Sequence, residues 1–139
     1  MSWVTAELWA PVTAVSAEHE GRASGLICST AVSASLDPDR PRIVLQLRKD
    51  NLTLELALAA GAFTLHLLRR DQQELFRFLA LDTGPPDEET LATAACRIVA
   101  TLDAGGSTII LADVLHEERR PGAPFTETDI VWDDALRNA

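Results

Sequence analysis

Apolar residues in this chain fall in short runs separated by turn-forming residues. Most runs alternate with polar positions in the two-residue period of a strand. Val12 to Ala17 is the first such run. The polar segment Glu18-His19-Glu20-Gly21-Arg22 follows it and predicts a hairpin into a second strand, Ala23 to Cys28. Ser29 to Ser35 is a run of small, mostly hydroxylated residues that turns at Leu36-Asp37-Pro38. Pro38 and Pro41 bracket a short connection and fix its turn. Arg42 to Leu47 predicts a buried strand. The period then lengthens: Asp50 or Asn51 caps a helix from Leu52 to Ala60, and Gly61 stops it. Phe63 to Leu68 is a strand with Phe63, Leu65 and Leu67 on one face and Thr64, His66 and Leu68 on the other. Asp71 is the expected cap of a second helix, Gln72 to about Leu81.

An acidic, proline-rich loop spans Asp82 to Glu89. Two strands are expected after it, Ala94 to Leu102 and Thr108 to Leu115, joined by the turn Asp103-Ala104-Gly105-Gly106-Ser107. His116 to Gly122 reads as a polar loop, and Asp129 to Trp132 as a last strand candidate. Strands joined by turn-length links, without repeated strand-helix-strand units, predict a mainly β fold. The expectation is a six-stranded antiparallel Greek-key split barrel with two or three short flanking helices, in a single domain over residues 1–139.

Composition narrows the function classes. The formal net charge is −9, so affinity for nucleic acid is not expected. Two cysteines, Cys28 and Cys96, are too few for a disulfide framework and lack zinc-type spacing. The N-terminus lacks the basic and apolar regions of a signal peptide, and no apolar run reaches the length of a membrane span, so the expected location is cytoplasmic. No glycine-rich phosphate loop and no Gly-x-Ser-x-Gly element is present. His19 between two glutamates lacks a third metal ligand, and Glu117, Glu118, Asp129, Asp133 and Asp134 read as solvated charges. No metal site and no catalytic acid or base is expected.

Candidate chemistry gathers between Gly25 and Thr53. Small hydroxylated residues let a flat polar ligand approach the backbone. In Arg48-Lys49-Asp50-Asn51-Leu52-Thr53, the only lysine stands beside an arginine at a helix start, a combination that suits a phosphate. Joined by one strand, these features predict a phosphorylated ring ligand lying along a sheet. Trp3 and Trp9, near the N-terminus, are expected to pack against a second copy of the chain.

The order of these segments resembles the flavin reductase-like family. The resemblance rests on Ala10-Pro11-Val12-Thr13-Ala14-Val15-Ser16-Ala17, on Gly25 with the Ser29 to Ser35 run, and on Ser35-Leu36-Asp37-Pro38. It continues through Arg48 to Glu55, Gly61 to Leu68, Asp71 to Leu75 and the Ala104 to Thr108 turn, reaching Val114. It implies an FMN-binding split barrel, usually a homodimer, that reduces flavin with NAD(P)H by hydride transfer and often supplies a partner monooxygenase. FAD is the other flavin it allows. Carried onto this chain, Cys28, Ser29, Thr30 and Ala31 lie along the ring and ribityl chain, with Ser33 and Ser35 nearby. Arg48, Lys49, Asn51 and Thr53 surround the phosphate, and Ser107 stands near the nicotinamide. Three features depart from the pattern. Gly105-Gly106-Ser107 replaces a Gly-Asp-His turn, Ala31 replaces an aromatic residue, and the segment between Phe78 and Cys96 is short. The missing imidazole implies weak nicotinamide binding. The alternative is a non-catalytic flavin- or haem-binding barrel.

Overall fold

A computed structural model describes residues 11–82 and 84–138. Trp3 and Trp9 lie outside the described residues. The strands are β1 (Thr13–His19), β2 (Arg22–Cys28), β3 (Val32–Ser33), β4 (Arg42–Arg48), β5 (Ala62–Leu67), β6 (Ala92–Asp103) and β7 (Ser107–Arg119). The helices are α1 (Leu52–Ala60), α2 (Gln73–Leu81) and α3 (Asp134–Arg137). All seven strands form one antiparallel sheet in the order β2-β1-β5-β6-β7-β4-β3. The sheet curls until its two edges approach, which makes a split barrel. The seventh strand is the two-residue β3, too short to stand out within a run of small residues.

Local chemistry accounts for most element boundaries. Glu20 and Gly21 both carry positive φ (51° and 78°), the geometry that a two-residue hairpin requires between β1 and β2. The Asn51 side chain accepts from the Thr53 N–H and caps α1, and Gly61 ends that helix at φ 68°. Asp71 does not cap α2. It pairs with Arg69, and α2 begins after Gln72, whose buried amide instead accepts from the Arg69 N–H and donates to Glu88 and the Glu89 carbonyl. β7 runs through the expected loop to Arg119 because β6 begins earlier, at Ala92, and pairs with it there. The expected strand at Asp129 to Trp132 is not formed. A 3-10 turn at Glu127–Asp129, held by a reciprocal Thr126–Asp129 cap, takes up its start.

Two cores result. Val15, Cys28, Leu45, Leu47, Phe63 and Ile110 fill the barrel, and Leu54, Leu56 and Ala57 of α1 close onto them. Outside the sheet, Val12, Ala14 and Leu68 pack with Leu75, Phe76 and Leu79 of α2, and with Phe125 and Leu136. The loop after α2 is short enough to lie against β2: a Cβ on Gly25 would stand 2.9 Å from the Gly84 carbonyl oxygen and 3.1 Å from Pro85 Cα. His66, on β5, makes a 2.7 Å hydrogen bond with Ser16 of β1, and burial pushes its pKa down to about 4.

Two outcomes follow from this packing. Gly25→Ala forces backbone apart and is expected to lower stability by about 1–3 kcal/mol, whereas Gly106→Ala, whose Cβ meets nothing within 4 Å, changes little; chemical denaturation checks both. His66 stays neutral in the folded protein, while the unfolded chain takes up its proton below about 6.5. Its contribution is therefore full above pH 6.5 and is lost as pH falls toward 4, by up to about 3 kcal/mol. His66→Gln is expected to flatten the stability profile in that window, measured by denaturant midpoints across pH.

Candidate functional site

The sheet's ends, β2 and β3, have no ladder between β2 and β4, so the barrel has a seam. Thr30 closes it. Its hydroxyl donates to the Gln46 carbonyl (3.1 Å) and accepts from the Gln46 N–H (3.1 Å), which satisfies both main-chain groups of one β4 residue. The Cys28 thiol lies 3.3 Å from the same hydroxyl and 3.9 Å from the same carbonyl. Thr13 donates to the Cys28 carbonyl at 2.6 Å and ties the end of β2 back to β1.

A groove of about 260 Å³ lies along this seam. Cys28, Ser29 and Thr30 line one wall, and Gln46, Arg48, Asn51 and Ser107 the other. The strand period explains the second wall. Leu45 and Leu47 point into the core, so Gln46 and Arg48 point out. The expectation of a strand buried throughout is thus corrected: β4 is buried on one face and polar on the other. Gln46 is the polar groove residue that sequence reasoning missed, beside the apolar Leu26, Ile27 and Leu47. A single polar residue between Leu45 and Leu47, in phase with Arg48, was the signal.

The two cations differ. Lys49 Nζ sits 2.6 Å from Asp103, and this hydrogen bond, with another from the Gly105 N–H, holds the Asp103 carboxyl below the usual carboxylate range. The Lys49 N–H also donates to the Gly106 carbonyl at 3.0 Å. Lys49 therefore clamps the β6–β7 turn onto the end of β4. Arg48 is exposed, and no carboxylate among the described residues lies within ion-pair distance of it. It ends β4 a few residues before α1, whose N-terminus carries the positive end of the helix dipole.

The groove thus brings together Cys28, Ser29, Thr30, Arg48, Asn51 and Ser107. The five other expected site residues, and Cys96, lie elsewhere. Lys49 is engaged by Asp103. Thr53 is fully buried, with its hydroxyl 2.7 Å from that of Ser24. Ala31 and Ser33 line an adjoining apolar depression of about 310 Å³ with Ile43, Leu65 and Leu67. The Ser35 hydroxyl donates to the Asp37 carbonyl and accepts from the Asp37 N–H within its turn. Cys96 is buried away from the groove, its thiol pushed up to about 11 mainly by burial.

These features define an antiparallel split barrel with a polar groove at its seam and a free cation at one end. Residues 5–94 match the model of the flavin reductase like domain, so the chain belongs to that family. It is 32% identical to an FMN reductase (NADH), SmoA, of Agrobacterium fabrum, over 82% of this chain and 72% of that protein. It is 29% identical to a flavin reductase (NADH) of Kitasatospora aureofaciens, over 76% of this chain and 63% of that one, so the match spans under two thirds of that relative's length. Among solved structures, the styrene monooxygenase flavin reductase of Pseudomonas putida S12 superposes with a TM-score of 0.73 at 25% identity, over 87% of each chain. No helix among the described residues is long and apolar enough to cross a membrane.

Proposed function

We propose that this protein is an NAD(P)H-dependent flavin reductase that binds FMN in the seam groove. The observation that carries this reading is the free Arg48 at the end of β4, just before α1, two residues from the Gln46 main chain that Thr30 ties to the Ser29–Thr30 wall. The donor set suits the cofactor. Arg48, near the α1 N-terminus, would hold the phosphate, and the Ser29 hydroxyl with the Ser29–Thr30 main chain would meet the polar edge of the ring. FAD shares all of these groups except its adenylate.

A bound flavin supplies the redox chemistry, accepting two electrons and a proton equivalent from the nicotinamide. The chain binds and orients. Thr30 fixes the groove wall, Arg48 anchors the charged end, and the Lys49–Asp103 clamp holds the turn carrying Ser107. No side chain in the groove is required as acid or base, in keeping with the positioning role of flavoprotein scaffolds. Ser107 offers a hydroxyl where an imidazole would orient a carboxamide, so nicotinamide binding is weak and its Michaelis constant high.

The reading extends to the assembly. The proposed state is a cytoplasmic homodimer that hands reduced flavin to a partner monooxygenase. Relatives named as the reductase component of a 4-nitrophenol monooxygenase and as a styrene monooxygenase flavin reductase support the partner. Exposed Val99, Leu102 and Leu115 on the long β6–β7 hairpin support self-association. A single domain over residues 1–139 is supported by β6 and β7, most of which lie beyond residue 94 yet belong to the same sheet.

The test is NADH and NADPH oxidation with added FMN or FAD, alongside the near-ultraviolet to blue absorbance of the purified protein. Flavin-dependent oxidation is expected; bound flavin without oxidation supports a non-catalytic carrier instead. Within this test Arg48→Ala is expected to weaken FMN relative to riboflavin by about 1–2 kcal/mol, at the low end for a charge-assisted bond because the site is exposed. Lys49→Ala, whose charge is spent on Asp103, is expected to change both ligands alike. Flavin fluorescence quenching measures each ratio.

A further inference from the structure

Gln46 occupies an unusual position. Its main chain does structural work, since both its N–H and its carbonyl are tied to Thr30. Its side chain does none of that work. It projects outward into the groove, and Ser107 Oγ donates to its Oε1 at 3.1 Å. That bond fixes the carboxamide plane and leaves the two Nε2–H donors without an acceptor among the described residues. Ser107 is itself held by the β6–β7 turn, which Lys49 clamps from its main chain and its ammonium. The bond orients the glutamine and leaves its pair of donors for the groove.

Its distance from Arg48 assigns it a partner. Gln46 and Arg48 are two residues apart on one strand and share its outer face, so their Cα atoms are separated by about 6.6 Å along the strand. That is close to the length of the sugar-alcohol chain joining a flavin's phosphate to its ring. A ligand with its phosphate at Arg48 and its ring edge at Ser29 and Thr30 lays that chain across Gln46. Hydroxyl oxygens are the acceptors that an oriented carboxamide N–H₂ takes.

We propose that Gln46, oriented by Ser107, recognises the ribityl hydroxyls and makes the groove selective for flavins that carry the polyol over the bare ring. This rests on the flavin reading above, and it gives Ser107 a positioning role. Backbone closure of the seam does not depend on the Gln46 side chain, so substitution there leaves the Thr30 stitch in place.

Three ligands separate the contributions. FMN carries ring, polyol and phosphate, riboflavin lacks the phosphate, and lumiflavin lacks both phosphate and polyol. Each is titrated by fluorescence quenching against the wild-type chain, Gln46→Leu, Ser107→Ala and Arg48→Ala. Gln46→Leu is expected to weaken FMN and riboflavin by roughly two- to tenfold, the worth of a neutral hydrogen bond, and to leave lumiflavin unchanged. Ser107→Ala keeps the amide but frees it, and is expected to move the riboflavin-to-lumiflavin ratio in the same direction by less. Arg48→Ala is expected to leave that ratio alone. Equal weakening of all three ligands by Gln46→Leu, or no change in any, overturns the proposal while the flavin reading stands. If Gln46→Leu does not fold, an unchanged ratio in Ser107→Ala overturns it. Wild-type protein that binds none of the three overturns both readings.

Discussion

The groove depends on one hydroxyl group at the seam of the barrel. A sheet that curls without closing leaves two edges whose main-chain donors and acceptors lack a strand partner and must find side chains or water. Here the edges meet where β2 ends and β4 ends, and Thr30 satisfies both main-chain groups of Gln46 in the absence of a ladder. A side-chain stitch differs from a strand pair in what it leaves beside it. A ladder would fill the seam with backbone. One threonine holds the edges together and keeps the space next to them open. The groove is what remains of a barrel closed by a side chain.

The charge pattern around the groove follows from what is already paired. In a chain of net charge −9, any free cation is a local exception. Lys49 and Arg48 are adjacent in sequence, yet alternation sends their side chains in different directions, and only Lys49 reaches Asp103. The carboxylate that neutralises Lys49 also anchors the turn through the Gly105 N–H. One ion pair thus does two things: it fixes the turn that carries Ser107, and it leaves Arg48 as the groove's remaining positive charge. The same side chains could not have done this in the reverse order, because Arg48 lies on the face of β4 that forms the groove wall.

The hairpins, α1 with its Asn51 cap and Gly61 stop, and the strand faces of β5 were legible in the sequence because each is set by residues within a few positions. The family order was legible for the same reason. Three kinds of information were not. The start of α2 is fixed by Gln72 reaching residues of the distant loop at Glu88 and Glu89, which overrides Asp71 as a local cap. The length of β7 is set by the partner strand that meets it. The fate of the cations and of Thr53 is set by Asp103 and Ser24, each far off in the chain. Propensity reads local signals, and these are pairings across the fold.

Gln46 shows why a site can be hidden inside a strand that looks like core. Four of the six residues from Ile43 to Arg48 are apolar, and they dominate the impression. The decision lies in phase. If Leu45 and Leu47 face Ile110 and the rest of the barrel core, the residue between them must face away from it. Once outward, it is next to Arg48 on the same face and within reach of Ser107 diagonally across β7. An outward glutamine on an ordinary strand would sweep through solvent at an entropic cost to any ligand that ordered it. Here Ser107 Oγ already donates to it in the folded chain, so less side-chain freedom is left to lose on binding. The groove is therefore preorganised at its polar wall by the same Lys49–Asp103 contact that leaves its charged end free.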